Sequence, residues 1–305
     1  MKKIVSLIMT ALMVCAMLTA FAVPASAAGN LAVEEDTTIS GECSYFDIDV
    51  RGKKVGDDII HWKDSVIPCT LTVESGASVT CSGDLNVQYG CSITIKRGAS
   101  VTCDWLLVQD GATVTIESGA SVTCSSFVVQ FGSTVTVKSG ASVTCEELGL
   151  IGNINDRECV VTVENGASVT VSSGVAVKDR SFLDIGGTFS GKLTDLYGSV
   201  TLLPGGTADL AAADGNMANK LVAQLQQYDE GAKAEQNSDG SYRVTAHRHI
   251  YAEEGICCGA EHLKNTASTL SEGSMTVVLC VAAFALGVVG TLLVTKKKKP
   301  EESNS

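Results

Sequence analysis

Ser118-Gly119-Ala120-Ser121-Val122-Thr123-Cys124, then Phe127-Val128-Val129-Gln130, then Ser133-Thr134-Val135-Thr136-Val137 form one period of an internal repeat. The segment Gly-Ala-Ser-Val-Thr begins at Gly76, Gly98, Gly119, Gly140 and Gly166, at spacings of 22, 21, 21 and 26 residues. Each period holds three short segments punctuated by glycine turns. Within each segment apolar and polar residues alternate, which is the mark of a strand with one face turned inward. Val122 and Cys124 oppose Ser121 and Thr123. Val135 and Val137 oppose Thr134 and Thr136. Three strands per ~21 residues describe one coil of a parallel β-helix, and one coil cannot bury its inner face alone, so copies must stack.

Stacking turns repeated letters into columns. One column reads Glu74, Lys96, Glu117, Lys138, Glu164, with the charge sign alternating at every coil. Opposite charges across a strand pair contribute about 0.2–1 kcal/mol, whereas like charges repel. An inner column reads Cys81, Cys103, Cys124, Cys145 and ends in Val171. The valine in a cysteine's place marks this thiol as a small core filler, with bridges between coils as the alternative. Cys69 with Cys91 is a further possible pair.

The predicted fold is all-β. A parallel β-helix of about seven coils spans 66–210, with a cap at 28–65 closing an edge that would otherwise invite aggregation. From 211 to 262 the sequence predicts a short helix (Asn216 to Tyr228), a hairpin around Asn237-Ser238-Asp239-Gly240, and a Cys/His segment. A polar tether follows at 263–274.

The two ends of the chain predict export and anchoring. Lys2 and Lys3 precede an apolar run to about Val23 and the small-residue stretch Ala25-Ser26-Ala27, a secretory leader cleaved after Ala27. Val14 before Cys15 argues against a lipoprotein. Met275 to Thr295 is 21 residues without a charge, about 31 Å as a helix and long enough to span a hydrocarbon core of ~30 Å. Lys296 to Lys299 place the tail 296–305 in the cytoplasm. The expected location is a single-pass cell-membrane protein with its N-terminal part outside. No LPxTG-type pentapeptide precedes the apolar stretch, which speaks against covalent wall attachment.

Whole-chain net charge is −12. Without the two leader lysines and the net +2 of the tail, the ectodomain carries −16. That sign disfavours nucleic acid and other anionic polymers. The expected partners are therefore the membrane, through the C-terminal helix, and glycans or host and cell-surface material.

The Gly-Ala-Ser-Val-Thr coils resemble the β-solenoids of bacterial surface and adhesin-like proteins. The stretch from Tyr228 to Val244 is similar to a unit that follows such repeats in surface proteins of Gram-positive gut bacteria. This resemblance implies a display or adhesion role and specifies no chemistry.

Candidate site residues fall into four groups. Tyr89 and Phe131, in one column with Asp110 beside glycine turns, and Trp105, read as preceding its strand, can stack on sugar rings. The insertion from Gly152 to Cys159, with Asp156, Arg157 and Glu158, can project as a binding loop. Ser78/Thr80, Ser100/Thr102, Ser121/Thr123, Ser142/Thr144 and Ser168/Thr170 form an outward hydroxyl array. His247, His249, Cys257, Cys258 and His262 have the donors for Zn²⁺, although the two cysteines lack the usual two-residue spacer and a disulfide or free thiols are the alternative. No other cofactor is indicated. Parallel β-helices also serve polysaccharide lyases and hydrolases, and Asp179, Arg180, Asp184 and Asp195 are the nearest thing to an acid–base cluster. The sequence favours a non-catalytic surface protein over that enzyme, with a plain structural spacer as the remaining reading.

Overall fold

A computed structural model describes residues 29–55, 65–152, 157–229, 231–248, 251–252 and 255–256. The chain divides into a unit ending at Ile250 and a second beginning at Tyr251. In the second unit, Tyr251–Ala252 pairs antiparallel with Gly255–Ile256. The predicted span Met275 to Thr295 lies outside the described residues. Among those residues no helix is long and apolar enough to cross a membrane.

The first unit is the expected parallel β-solenoid. One wall is an eight-stranded sheet built from the Ile/Val triplets, including Thr70–Val73, Ser92–Ile95, Thr113–Ile116 and Thr134–Val137. These strands pair in parallel and in register, so Val73, Ile95, Ile116 and Val137 form one buried ladder. Eight rungs at ~4.8 Å give a stack about 34 Å long. The remaining two sides belong to a single thirteen-stranded sheet.

Here the structure corrects the expected three separate strands. In the central coils the second and third segments fuse into continuous strands, Ser100–Val108, Ser121–Gln130 and Ser142–Ile151. The fused strand turns a corner where inside–outside alternation slips by one residue. Cys103 is buried, Asp104 and Trp105 are both exposed, and Leu106 is buried again. Cys145, Glu146, Glu147 and Leu148 repeat the pattern. Trp105 therefore lies within its strand rather than before it.

The other two corners are turns of different types. Ala77 N–H donates to Glu74 O across Ser75-Gly76, and only Gly76 has positive φ, as a type II turn requires. Cys91 N–H donates to Gln88 O across Tyr89-Gly90, and both central residues have positive φ (56° and 73°), as in type I′. Asp110 and Phe131 repeat this left-handed conformation at 56° and 55°.

Seven coils lie between residues 70 and 212, as expected. An eighth comes from the stretch expected to be a cap. Thr37–Ile39 pairs with the Thr70–Val73 strand, Glu42–Tyr45 with Ser78–Cys81, and Ile48–Val50 with Asp84–Val87. The coils after residue 171 lose the repeated letters but keep the register on the eight-stranded wall, where Val160–Val163 pairs with Phe182–Ile185 and Phe182–Ile185 with Ser199–Leu202; on the thirteen-stranded sheet the pairing shifts between Thr170 and Ala176.

The C-terminal end is closed by a change of strand direction. Tyr242–His247 adds antiparallel to Thr207–Ala212, and Lys233–Gln236 pairs with it through the predicted Asn237–Gly240 turn. Arg243 makes a two-pronged ion pair with Asp209 across this junction, at 2.8 and 2.6 Å. Helix α1, Gly215–Leu225, is capped by Asp214, whose carboxylate accepts from Met217 N–H at 2.9 Å. It buries Ala218, Leu221 and Leu225 at helical spacing. Gln224 accepts from Val200 N–H and donates to Gly198 O. In this way it satisfies backbone groups on the last strand of the eight-stranded wall.

Candidate functional surfaces

The solenoid presents three edges, each with its own chemistry. On the type II edge stands the alternating charge column. Glu74, Lys96, Glu117, Lys138 and Glu164 each donate a backbone N–H to the coil below, so they occupy one line. Lys96 Nζ reaches both Glu74 carboxylate oxygens, at 3.0 and 3.1 Å. Both groups are more than one-third exposed, so such a pair is worth under ~1 kcal/mol and serves register more than stability.

The wall beside this edge carries the hydroxyl array in full register. Ser78, Ser100, Ser121, Ser142 and Ser168 align, as do Thr80, Thr102, Thr123, Thr144 and Thr170. The threonines are exposed, and Ser100 Oγ donates to Ser78 Oγ at 3.2 Å.

The type I′ edge gathers Tyr89, Asp110, Phe131 and Arg157. Arg157 lies directly on Gly132, where an added Cβ would come within 3.1 Å of the arginine Cβ. Partial burial raises the Asp110 carboxyl above its ordinary range, and the nearby Arg157 charge opposes that shift. Tyr89, Phe131 and Arg157 are half-buried and Glu158 is exposed. Asp156 lies outside the described residues. Alongside runs a glutamine ladder missed in the sequence, in which Gln130 donates to Gln109 at 3.0 Å and Gln109 to Gln88 at 3.3 Å. Trp105 does not join this group.

The third edge is the bend, and it holds two of the most exposed aromatic side chains. Phe46 is 57% exposed and Trp105 is 48% exposed. Phe46 was not identified from the sequence, because its coil lacks the repeated letters. The bend runs into a shallow depression of about 240 Å³ lined by Ser126, Val128, Glu147, Gly149, Ala176 and Thr194. The outward column Leu107, Val128, Gly149, Ala176 loses its bulk as it passes through this region.

The acid–base cluster does not assemble. Asp184 lies on the eight-stranded wall between Thr162 and Thr201, and burial raises its carboxyl. Asp195 is on the other sheet, paired with Lys178. Asp179 and Arg180 occupy a turn.

Of the five proposed zinc ligands, His247 is described, whereas His249, Cys257, Cys258 and His262 lie outside the described residues. His247 Nδ1 is 2.7 Å from Thr207 Oγ1, and its backbone N–H donates to Asp229. Among the described residues no group of three or more His, Cys, Asp or Glu side chains is placed to hold a metal ion.

Eight described cysteines are buried free thiols. Cys103, Cys124 and Cys145 align in register. Tyr45 heads their column below Cys81, and burial pushes its phenol up to about 12. Cys69 and Cys91 bring their sulfurs to 3.8 Å, and this hydrogen bond, reinforced by burial, raises the Cys69 thiol well above its ordinary value. No protein-family model, curated protein or solved structure matches this chain, so its kinship stands at the level of architecture: it is a parallel β-solenoid of about eight coils.

Proposed function

We propose that this protein is a membrane-anchored surface protein of the bacterial adhesin-like type, whose solenoid contacts glycans without catalysing a reaction. The observation that carries this reading is the regularity of the outer surface. Threonine hydroxyls recur at every central coil on one wall, and aromatic side chains stand on the edges. A stacked sheet holds such groups at fixed ~4.8 Å intervals, so a polymer with its own repeat meets a pre-organised surface and little ordering entropy is lost on contact. The leader-like N-terminus and the apolar stretch with its lysine tail supply the export and anchoring half of the proposal.

The test is a broad glycan array probed with the purified full-length chain, run beside cell fractionation. Saturable glycan binding and recovery in the membrane fraction are expected. Silence across the array removes the glycan role, and recovery in the soluble cytoplasmic fraction removes the anchoring role.

A further inference from the structure

The bend edge has a composition that the other two edges lack. Phe46 stands on the first coil and Trp105 on the third, two coils apart and about 10 Å along the stack. Asp47, Asp84 and Asp104 lie on the same edge in the first to third coils, and Asp84 is the in-register neighbour of Trp105. Glu147 follows two coils above Trp105, across Ser126. Bend positions from the first to the fifth coil carry no lysine or arginine, whereas both glycine-turn edges do. The carboxylates crowd one another. Partial burial together with Asp47, Asp104 and Asp49 raises the Asp84 carboxyl above its ordinary range. A bound cation would relieve that repulsion.

We propose that this edge is the glycan-contacting surface, and that its ligand is a polysaccharide of amino sugars bearing free amines. The proposal rests on the glycan reading above and deepens it. Sugar rings lay their C–H faces on Phe46 and Trp105, which are spaced on the scale of a disaccharide. Their ammonium groups meet Asp84 and Asp104 and also gain cation–π attraction from the indole. Charge complementarity selects this occupant, because a neutral or anionic chain would leave the same acids uncompensated. A basic peptide shares the charge but not the fit. Trp105 lies in a strand paired on both sides, which offers a peptide no free strand edge to extend there.

The experiment compares three probes against the purified full-length chain in detergent: a chito-oligosaccharide with free amines, its fully N-acetylated counterpart, and an oligolysine peptide. Binding of the free-amine oligomer is expected to be at least about tenfold tighter than that of the other two, and to weaken as salt is added. Trp105→Ala should lose about tenfold, and Trp105→Phe should recover most of it. Asp84→Asn should weaken the free-amine oligomer while leaving the acetylated one unchanged. A melting temperature no lower than the parent's in each variant excludes misfolding as the cause. Equal binding of both oligomers, or binding indifferent to Trp105, overturns this assignment and leaves the general glycan role standing. Oligolysine binding that exceeds both sugars overturns it in favour of a peptide partner. Silence of all three probes, when other glycans on the array bind, overturns the amine specificity alone; silence of those glycans as well removes the glycan role too.

Discussion

The glycine-turn edges and the bend edge solve the same problem, closing a coil, in different ways. At Gly76, Gly98, Gly119, Gly140 and Gly166 the chain reverses through positive φ, so the residue type is dictated by backbone geometry. At the bend, two consecutive residues face outward and the strand continues without a turn. No positive φ is needed there, so backbone geometry does not dictate the residue type. The turns fix the architecture and the bend is free to carry chemistry. The exposed Trp105 and Phe46 and the run of carboxylates stand where the fold imposes least.

Substitutions in the core, at the turns and at the bend test this contrast. The largest effect is expected beneath all three edges, in the shared core. Phe127, 2% exposed, sits in the ladder between Leu106 and Leu148, so Phe127→Ala should cost about 3–5 kcal/mol in denaturant unfolding. A loss under about 1 kcal/mol would mean that the coils do not share a packed interior. Next comes Gly119→Val, which forces a β-branched residue to φ +75° and should cost about 1–3 kcal/mol. At the bend, Ser125→Val should fall within about 0.5 kcal/mol of the parent. If the two cost the same, the distinction between turn and bend fails.

A smaller effect is expected for Cys124→Val, under about 1.5 kcal/mol, because Val171 already fills the same column. In the native protein these thiols should resist alkylation until denaturant is added. Rapid native-state labelling would show that the column is not sealed. The smallest change is at Asp84. Its folded pKa is raised, so the ionised form penalises the folded state at neutral pH. That penalty fades as pH falls through the raised value toward the ordinary ~3.9. Asp84→Asn should therefore be more stable than the parent at pH 7, by up to about 0.5 kcal/mol. The gap should close as the pH is lowered. A variant less stable than the parent at pH 7 would show that Asp84 is paired rather than crowded.

Much of this was legible in the residues. The Gly-Ala-Ser-Val-Thr period gave the solenoid, and the Glu/Lys column gave its register before any coordinate did. The first coil escaped notice because Thr37–Ile39 and Glu42–Tyr45 keep the alternation without the letters. The bend was visible in principle. Two residues separate Cys103 from Leu106, and two separate Cys145 from Leu148, where strict alternation would leave one. Read from letters alone, that slip is indistinguishable from a break between strands, which would put Trp105 outside its strand. The glutamine ladder follows from the same spacing as the charge column, but its neutral residues carry no alternating sign to draw attention. What the letters could not supply was the separation of Trp105 from Tyr89 and Phe131, since that depends on which corner is a turn and which a bend.

The alternating charge column has a consequence for how such a chain can change its length. Removing the single coil that carries Glu117 would bring Lys96 against Lys138, two ammonium groups one strand apart. Removing that coil together with the one carrying Lys138 would set Lys96 against Glu164 and restore attraction. The ladder thus imposes parity: this protein can be shortened or extended by duplication in even steps with little penalty, while odd steps leave a like-charge seam in its side.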